Sequence, residues 1–293
     1  MEKYFKIILD SFTGYASYLW QEITSPTWNS YFYWLIGLSF FVWFLELTLP
    51  WRKSQKPFRK DFWLDAFYMF FNFFLFSLVA YNAISNVAVE LFNDLLALLG
   101  LSNIVAITID SWPTGLQLLL LFILADFIQW NTHRLLHNVP WLWQFHKLHH
   151  SVKEMGFAAH LRYHWMETIV YKSIQYLPLA MIGYGLLDFF AVHIFALAIG
   201  HLNHANLNWN YGPLRYLLNS PRMHIWHHAR ELPAGHKNGV NYGISLSIWD
   251  YLFGTAYVPH EGRDIELGFA DDEQFPKKFT RQIIYPLNLK SKK

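Results

Sequence analysis

Thirteen of the fifteen histidines in this chain fall between residues 133 and 228, and their spacings repeat. His133 and His137 stand at i, i+4, as do His160 and His164. His201 and His204 stand at i, i+3. His146, His149 and His150 form an i, i+3, i+4 triplet, and His224, His227 and His228 form a second. On a helix such spacings put side chains on one face, with Cβ atoms about 5–6 Å apart. Two imidazoles so placed can hold one metal ion. A triplet can hold one ion with two nitrogens and offer its third to a neighbour. One pair alone reads equally well as a surface helix or a satisfied core residue. Five sets together do not. Protonated, they would repel one another; neutral, each ring leaves a nitrogen seeking a partner. A bound cation resolves both problems.

The residue types narrow the metal. Imidazole suits iron, copper, zinc and nickel. The chain has no cysteine, which excludes disulfides, zinc thiolate sites and iron–sulfur clusters carried by this chain. Few carboxylates sit among the histidines, and Glu154 and Glu167 are the candidates. A catalytic zinc site uses about three protein ligands and one open position. Nine or more converging imidazoles are enough for two ions, and many neutral nitrogen ligands on two redox-active ions suit activation of O2. Residue types alone leave iron and zinc open.

The elements that must position these rings are greasy. Hydrophobic residues make up 54% of the 293 and aromatic ones 19%. Charged residues are 15%, against about 25% in an ordinary soluble domain. A net charge of +2 gives no reason to expect a nucleic acid partner. Residues 31–49 carry one charge, Glu46, and match the roughly 20 residues that span a bilayer. With no cleavable signal pattern before them, they read as an anchor. Residues 62–84 and 115–130 read as second and third spans, and 168–200, with Pro178 and the GYG at 183–185, as a hairpin that enters and returns. Five Lys/Arg lie in 51–61, while 62–113 has none. By the positive-inside rule, 51–61, 131–165 and the chain from His201 face the cytoplasm, and 85–113 the far side. The expected fold is all-α. It is an integral membrane bundle of about four to five segments with a cytoplasm-facing, histidine-rich helical cap. We divide it into a membrane anchor region with two spans (1–113), a catalytic domain (114–262) and a polar tail (263–293) of surface strand and loop.

HRLLH, HKLHH and HIWHH, with NYGISLSIWDYLFGT downstream, resemble the fatty acid hydroxylase/sterol desaturase superfamily. The resemblance runs from about Leu120 to Tyr257. It is carried further by Asp126 before the first box, LRYHWME at 161–167, HLNHAN at 201–206 and NSPRMHIWHH at 219–228. It implies an integral-membrane non-haem di-iron oxygenase with O2 as co-substrate. Carried over position by position, it implies His133, His137, His146, His149, His150, His204, His224, His227 and His228 as ligands, joined by His164. It also brings in His160 and His201, where many relatives have other residues. His236 and His260 are weaker candidates, and His193 reads as structural. Asp126 lies seven residues before His133 on the same helix face. It can accept from the far nitrogen of a ligand histidine, in preference to a helix-packing hydrogen bond. Asn241 and Asp250 can position the segment after the last box, though Asn-Tyr-Gly also makes a simple turn. Arg162 and Arg222 can bind a lipid headgroup or pair with Glu154 and Glu167.

The reaction so implied spends O2, two electrons and two protons on an unactivated C–H bond of a lipid (sterol, fatty acyl or related). It gives an alcohol or, by loss of a second hydrogen, an alkene; hydroxylation is the favoured outcome. The chain has no GxGxxG, cysteine ligands or HPGG. The electrons must therefore come from an external donor such as a cytochrome b5-like protein, a ferredoxin or a reductase. The membrane would be the inner membrane of a bacterium or the endoplasmic reticulum of a eukaryote. The rivals are a metal-ion carrier and a zinc-dependent membrane hydrolase. A carrier should place ligands along a path inside its spans, and a hydrolase of the HExxH type needs a sequence that is absent here.

Overall fold

The computed structural model describes residues 2–184 and 186–287. Gly185 of the expected hairpin turn and the terminal LKSKK lie outside the described residues. Helix α1 spans Glu2–Thr24 and α2 spans Tyr31–Thr48. Helix α3 (Phe62–Phe70) continues through two π-helical turns, Phe71–Leu75 and Ser77–Tyr81, into α4 (Asn82–Leu98). Then come α5 (Thr114–Asn138), α6 (Pro140–His150), α7 (Trp165–Ala180), α8 (Leu186–His204), α9 (Pro221–His227), α10 (Ile248–Leu252) and α11 (Phe279–Gln282). Among the described residues there is no β-strand, only isolated bridges such as Pro50 with Leu207.

Among the described residues, three helices are long and apolar enough to cross a membrane: Tyr31–Thr48, Phe62–Leu98 and Thr114–Asn138. Phe40, Phe41 and Phe44 on α2 are exposed, an apolar face of the kind that meets a bilayer. The middle helix exceeds the expected 62–84 span. Its 37 residues extend about 55 Å at a 1.5 Å rise. It does not end at the polar Ser85 and Asn86, because α1 covers that face. Asn86 donates to Ser11 at 2.9 Å, and Lys3 pairs with Glu90 at 2.7 Å and Asp94 at 2.8 Å.

Two local features aim the histidines. Pro140 opens α6 and forces Val139 into an extended conformation (φ −90°, ψ 112°). The chain therefore breaks after α5 and turns through a single residue, which folds α6 back on α5. Second, Arg162, whose loop passes under α6, is locked by a buried carboxylate. Asp65 is fully buried and accepts from Arg59 at 2.5 Å and Arg162 at 3.0 Å. Arg162 also reaches Asp61 at 3.3 Å and Ser151 at 3.0 Å. Arg222 instead donates to Asn208 at 2.6 Å. Neither arginine pairs with Glu154 or Glu167. Glu154 accepts from the Lys60 amide.

The C-terminal region differs from the surface strand and loop expected of it. Phe279 packs against Tyr68 and Phe71. Gln282 is buried and accepts from the Tyr68 hydroxyl at 3.0 Å. Phe275 and Phe279 give the segment an apolar face that a count of its charges hides, so it docks on α3 and does not lie free.

Replacing Asp65 by Asn leaves the buried Arg59 guanidinium without its counter-charge and Arg162 with Asp61 alone. Breaking a buried pair costs about 3–5 kcal/mol, so Asp65→Asn should unfold in detergent at a clearly lower temperature than the parent. An unchanged midpoint would remove this cluster from the framework of the fold.

Candidate metal centre

Nine histidines converge in two buried groups. His133, His137, His146, His150 and His227 form one, and His149, His204, His224 and His228 the other. Within each group one ring nitrogen per residue lies within 4.8 Å of all the rest. Each HxxHH triplet is divided between them. In α6 the i, i+4 pair His146 and His150 serves the first group and His149 the second. In α9 His224, with His228 just after it, serves the second group and His227 the first. The groups abut: the His150 and His228 rings stack with centroids 4.5 Å apart.

The far sides of the rings decide their protonation. His133 Nδ1 donates to the Tyr242 carbonyl at 2.7 Å, His137 to Asn238 at 2.8 Å and His227 to Val240 at 2.8 Å. His149 donates to the Arg162 carbonyl at 3.2 Å and His204 to Gly200 at 2.8 Å. A carbonyl only accepts. These five rings therefore carry their proton on Nδ1 and present a bare lone pair at Nε2. Yet His149 Nε2 and His204 Nε2 face each other at 3.3 Å, two acceptors with no proton to share. His137, His150 and His227 have buried Nε2 atoms with no partner at all. Buried polar atoms without partners are rare and costly. A cation in each group turns the repelling lone pairs into ligands. Burial, followed by neighbouring imidazoles, also holds His150, His224, His227 and His228 well below the usual imidazole range, so these rings stay neutral at pH 7 and free to ligate.

Three of the carbonyl acceptors, Asn238, Val240 and Tyr242, are alternate residues of one strap that crosses the first group. The strap is held by the residues after the last histidine box. Asp250, fully buried, accepts from the amides of Tyr242 (2.9 Å) and Gly243 (2.8 Å), from Trp130 Nε1 (3.0 Å) and from the Thr255 hydroxyl (2.6 Å). A Cβ on Gly243 would sit 2.9 Å from the Asp250 carboxylate, so a larger residue would push that anchor away. Asn241, in the left-handed region (φ 53°), donates to the Met223 and Tyr257 carbonyls and accepts from the Tyr257 amide. Asp126 does not reach a histidine. It accepts from the amides of Ser245 (3.2 Å) and Leu246 (3.3 Å) and from Trp249 Nε1 (2.8 Å). Its face of α5 meets the strap's continuation, not the rings. The carboxylate that does meet a ring is Glu167. One oxygen lies 2.7 Å from His146 Nδ1, and the other caps α7 by accepting from the His164 amide at 3.0 Å.

The remaining histidines stand outside both groups. His164 faces the Ile283 carbonyl through Nε2 (2.9 Å) and accepts from the Met166 amide through Nδ1, so both its nitrogens are engaged. His201 meets Ser39 at 3.1 Å and His160 at 2.9 Å. His193, His236 and His260 belong to neither group. Sequence reasoning missed the strap carbonyls, which no residue type marks. It also missed the His146–Glu167 contact, although the capping-box spacing of His164 and Glu167 does place Glu167 at the start of a helix.

The fatty acid hydroxylase family model matches residues 118–255, which contain all nine converging histidines, the strap, Glu167, Asp126 and Asp250. This segment, just under half of the chain, is similar to the fatty acid hydroxylase family. Among similar proteins is the ornithine lipid hydroxylase OlsE of Rhizobium tropici, 34% identical over 63% of this chain and 54% of that protein. The alkylglycerol monooxygenase of Xenopus tropicalis is 33% identical over 51% of this chain and 32% of its own length. The Homo sapiens alkylglycerol monooxygenase is 34% identical over 48% of this chain and 30% of its own length. This chain thus aligns with about half of the first relative and about a third of the others. No solved structure matches it. In the fatty acid hydroxylase segment the matched motifs do two jobs: the boxes supply rings, and the downstream WDYLFGT holds the carbonyls that orient them.

Two outcomes follow. Glu167→Gln should weaken metal binding in the five-histidine group about 10–100-fold, the usual cost of losing a partner to a ligand histidine; chelator competition on purified protein reads this directly. Undiminished affinity would reduce Glu167 to a helix cap. The folded imidazole values lie below the unfolded value of about 6.5, so the unfolded state takes up protons first on acidification. Stability is then fully present above about pH 6.5 and is lost as pH falls below it. Metal retention should fall in the same direction. A pH titration of melting temperature and bound metal that stayed flat down to pH 4 would contradict the buried-neutral assignment.

Proposed function

We propose that this protein is a membrane-bound non-haem di-iron oxygenase that hydroxylates an unactivated C–H bond of a lipid. The observation that carries the reading is the pair of abutting all-imidazole groups, of five and four rings, that both open on one cavity. This cavity has a volume of about 430 Å³, and its wall includes His133 and His146 from the first group and His149, His204 and His224 from the second. A carbon held there is presented to both groups at once. The nine histidines are the ligands in this reading; His160, His164 and His201 are not. The domain assigned to 114–262 holds all of them, and the spans before it serve as anchor and cavity wall.

The donor set fits iron: nitrogen only, neutral, and more numerous than the three protein ligands of a catalytic zinc. When bound, the iron pair would supply the reduction of O2. The net change is R–H + O2 + 2 e⁻ + 2 H⁺ → R–OH + H2O. The chain's own residues hold the rings in one tautomer, keep them neutral and present the substrate. Asp126, Asn241 and Asp250 act here as positioning residues, through the strap. The names of the relatives, a lipid hydroxylase and alkylglycerol monooxygenases, support oxygen insertion over loss of a second hydrogen. Electrons come from a separate donor at the cytoplasmic face, the side that the positive-inside rule favours for the histidine cap. The membrane is a bacterial inner membrane or an endoplasmic reticulum.

The test is isotopic. Cells expressing the protein under ¹⁸O2 should accumulate a membrane lipid two mass units heavier than the same product made under ¹⁶O2. His149→Ala and His227→Ala, one from each group, should abolish it while still fractionating with the membrane. Product formed by either variant, or the absence of any oxygen-labelled lipid, would overturn the reading.

A further inference from the structure

The cavity beside the histidines is not built for hydrocarbon alone. Lys172 lies on its wall, and among the described lining residues it is the only lysine or arginine. The only carboxylate there, Glu167, is already occupied by His146 and the His164 amide. No carboxylate pairs with Lys172 among the described residues; its ammonium sits 4.2 Å from the centre of the Tyr81 ring. A cation on α7 beside a mostly apolar cavity is expensive without a counter-charge. The surrounding wall is mostly apolar, and polar groups are set into it. It carries the tyrosines at 31, 81, 171 and 176, and two side chains with unused capacity. Asn72 is almost fully buried, donates to the Leu161 and Tyr163 carbonyls, and leaves Oδ1 without a partner. Asn82 leaves Nδ2 without one. Both asparagines belong to the stretch of Phe62–Leu98 where the helix loosens into π turns, a distortion that often marks functional sites.

We infer that this cavity receives the headgroup end of its lipid, and that Lys172 is the specificity residue that binds a single negative charge there, a carboxylate or a phosphodiester. One lysine without arginine matches one charge better than the two of a phosphomonoester. Lys172 follows Glu167 by five residues on α7, about 7.5 Å along the helix axis at a 1.5 Å rise. The carbon offered to the histidine groups is therefore a few bonds from the acidic group and not deep in an acyl chain. The inference rests on the oxygenase reading for the fate of that carbon, but the binding itself does not depend on metal.

The test is binding to purified, detergent-solubilised full chain, followed by native mass spectrometry. Three probes are compared: N-palmitoylglycine, its methyl ester, and 1-palmitoyl-lysophosphatidylglycerol. The parent should bind at least one of the two acids tenfold or more tightly than the neutral ester, and the preferred acid distinguishes carboxylate from phosphodiester. Lys172→Met should lose that preference with unchanged metal content, and Lys172→Arg should keep it. Equal binding of acids and ester by the parent, or a preference surviving in Lys172→Met, would overturn the inference. Failure of the oxygenase reading would show instead as missing oxygen-labelled product with the binding preference intact.

Discussion

The structure depends on one constraint: an imidazole hydrogen-bonded to a carbonyl on one side has only a lone pair to offer on the other. Five rings are fixed this way, by Tyr242, Asn238, Val240, Arg162 and Gly200. A sixth, His146, faces the Glu167 carboxylate. Packing so many lone pairs into a dry centre is unfavourable without a cation. The fold therefore stores a metal site as a set of outward hydrogen bonds, each of which must itself be anchored.

The anchors account for much of the chain. Asp250 and Asn241 hold the strap that bears three of the carbonyls, and Asp126 holds the strap's continuation against α5. The Arg59–Asp65–Arg162 cluster fixes the loop under His149. The single-residue corner at Val139 sets α6 against α5. Helices long enough to cross a membrane extend from this cap, and the cavity lies between them and the rings. A lipid would thus approach from the membrane side while the ligand set stays shielded from water.

The clustering of histidines was the most legible part of the sequence. Helical spacing allows a triplet to hold one ion with two nitrogens and offer its third to a neighbour, and the two triplets are each divided between the two histidine groups. The all-helical fold was legible for a related reason, since long uncharged runs have few other solutions. The positions that misled did so for tertiary reasons. Asp126 shares a face with His133, but that face meets Ser245 and Trp249. Ser85 and Asn86 look like a helix end, but α1 supplies a partner for Asn86. The strap was invisible because main-chain carbonyls have no letter. The cavity tyrosines, scattered from 15 to 176, share no period.

The most direct test of the account is metal content. The protein would be purified without a histidine tag or chelator from iron-supplemented cells and analysed for its elements. The account predicts about two irons per chain. A metal-free protein that is nonetheless folded, or a single tightly held zinc, would contradict it.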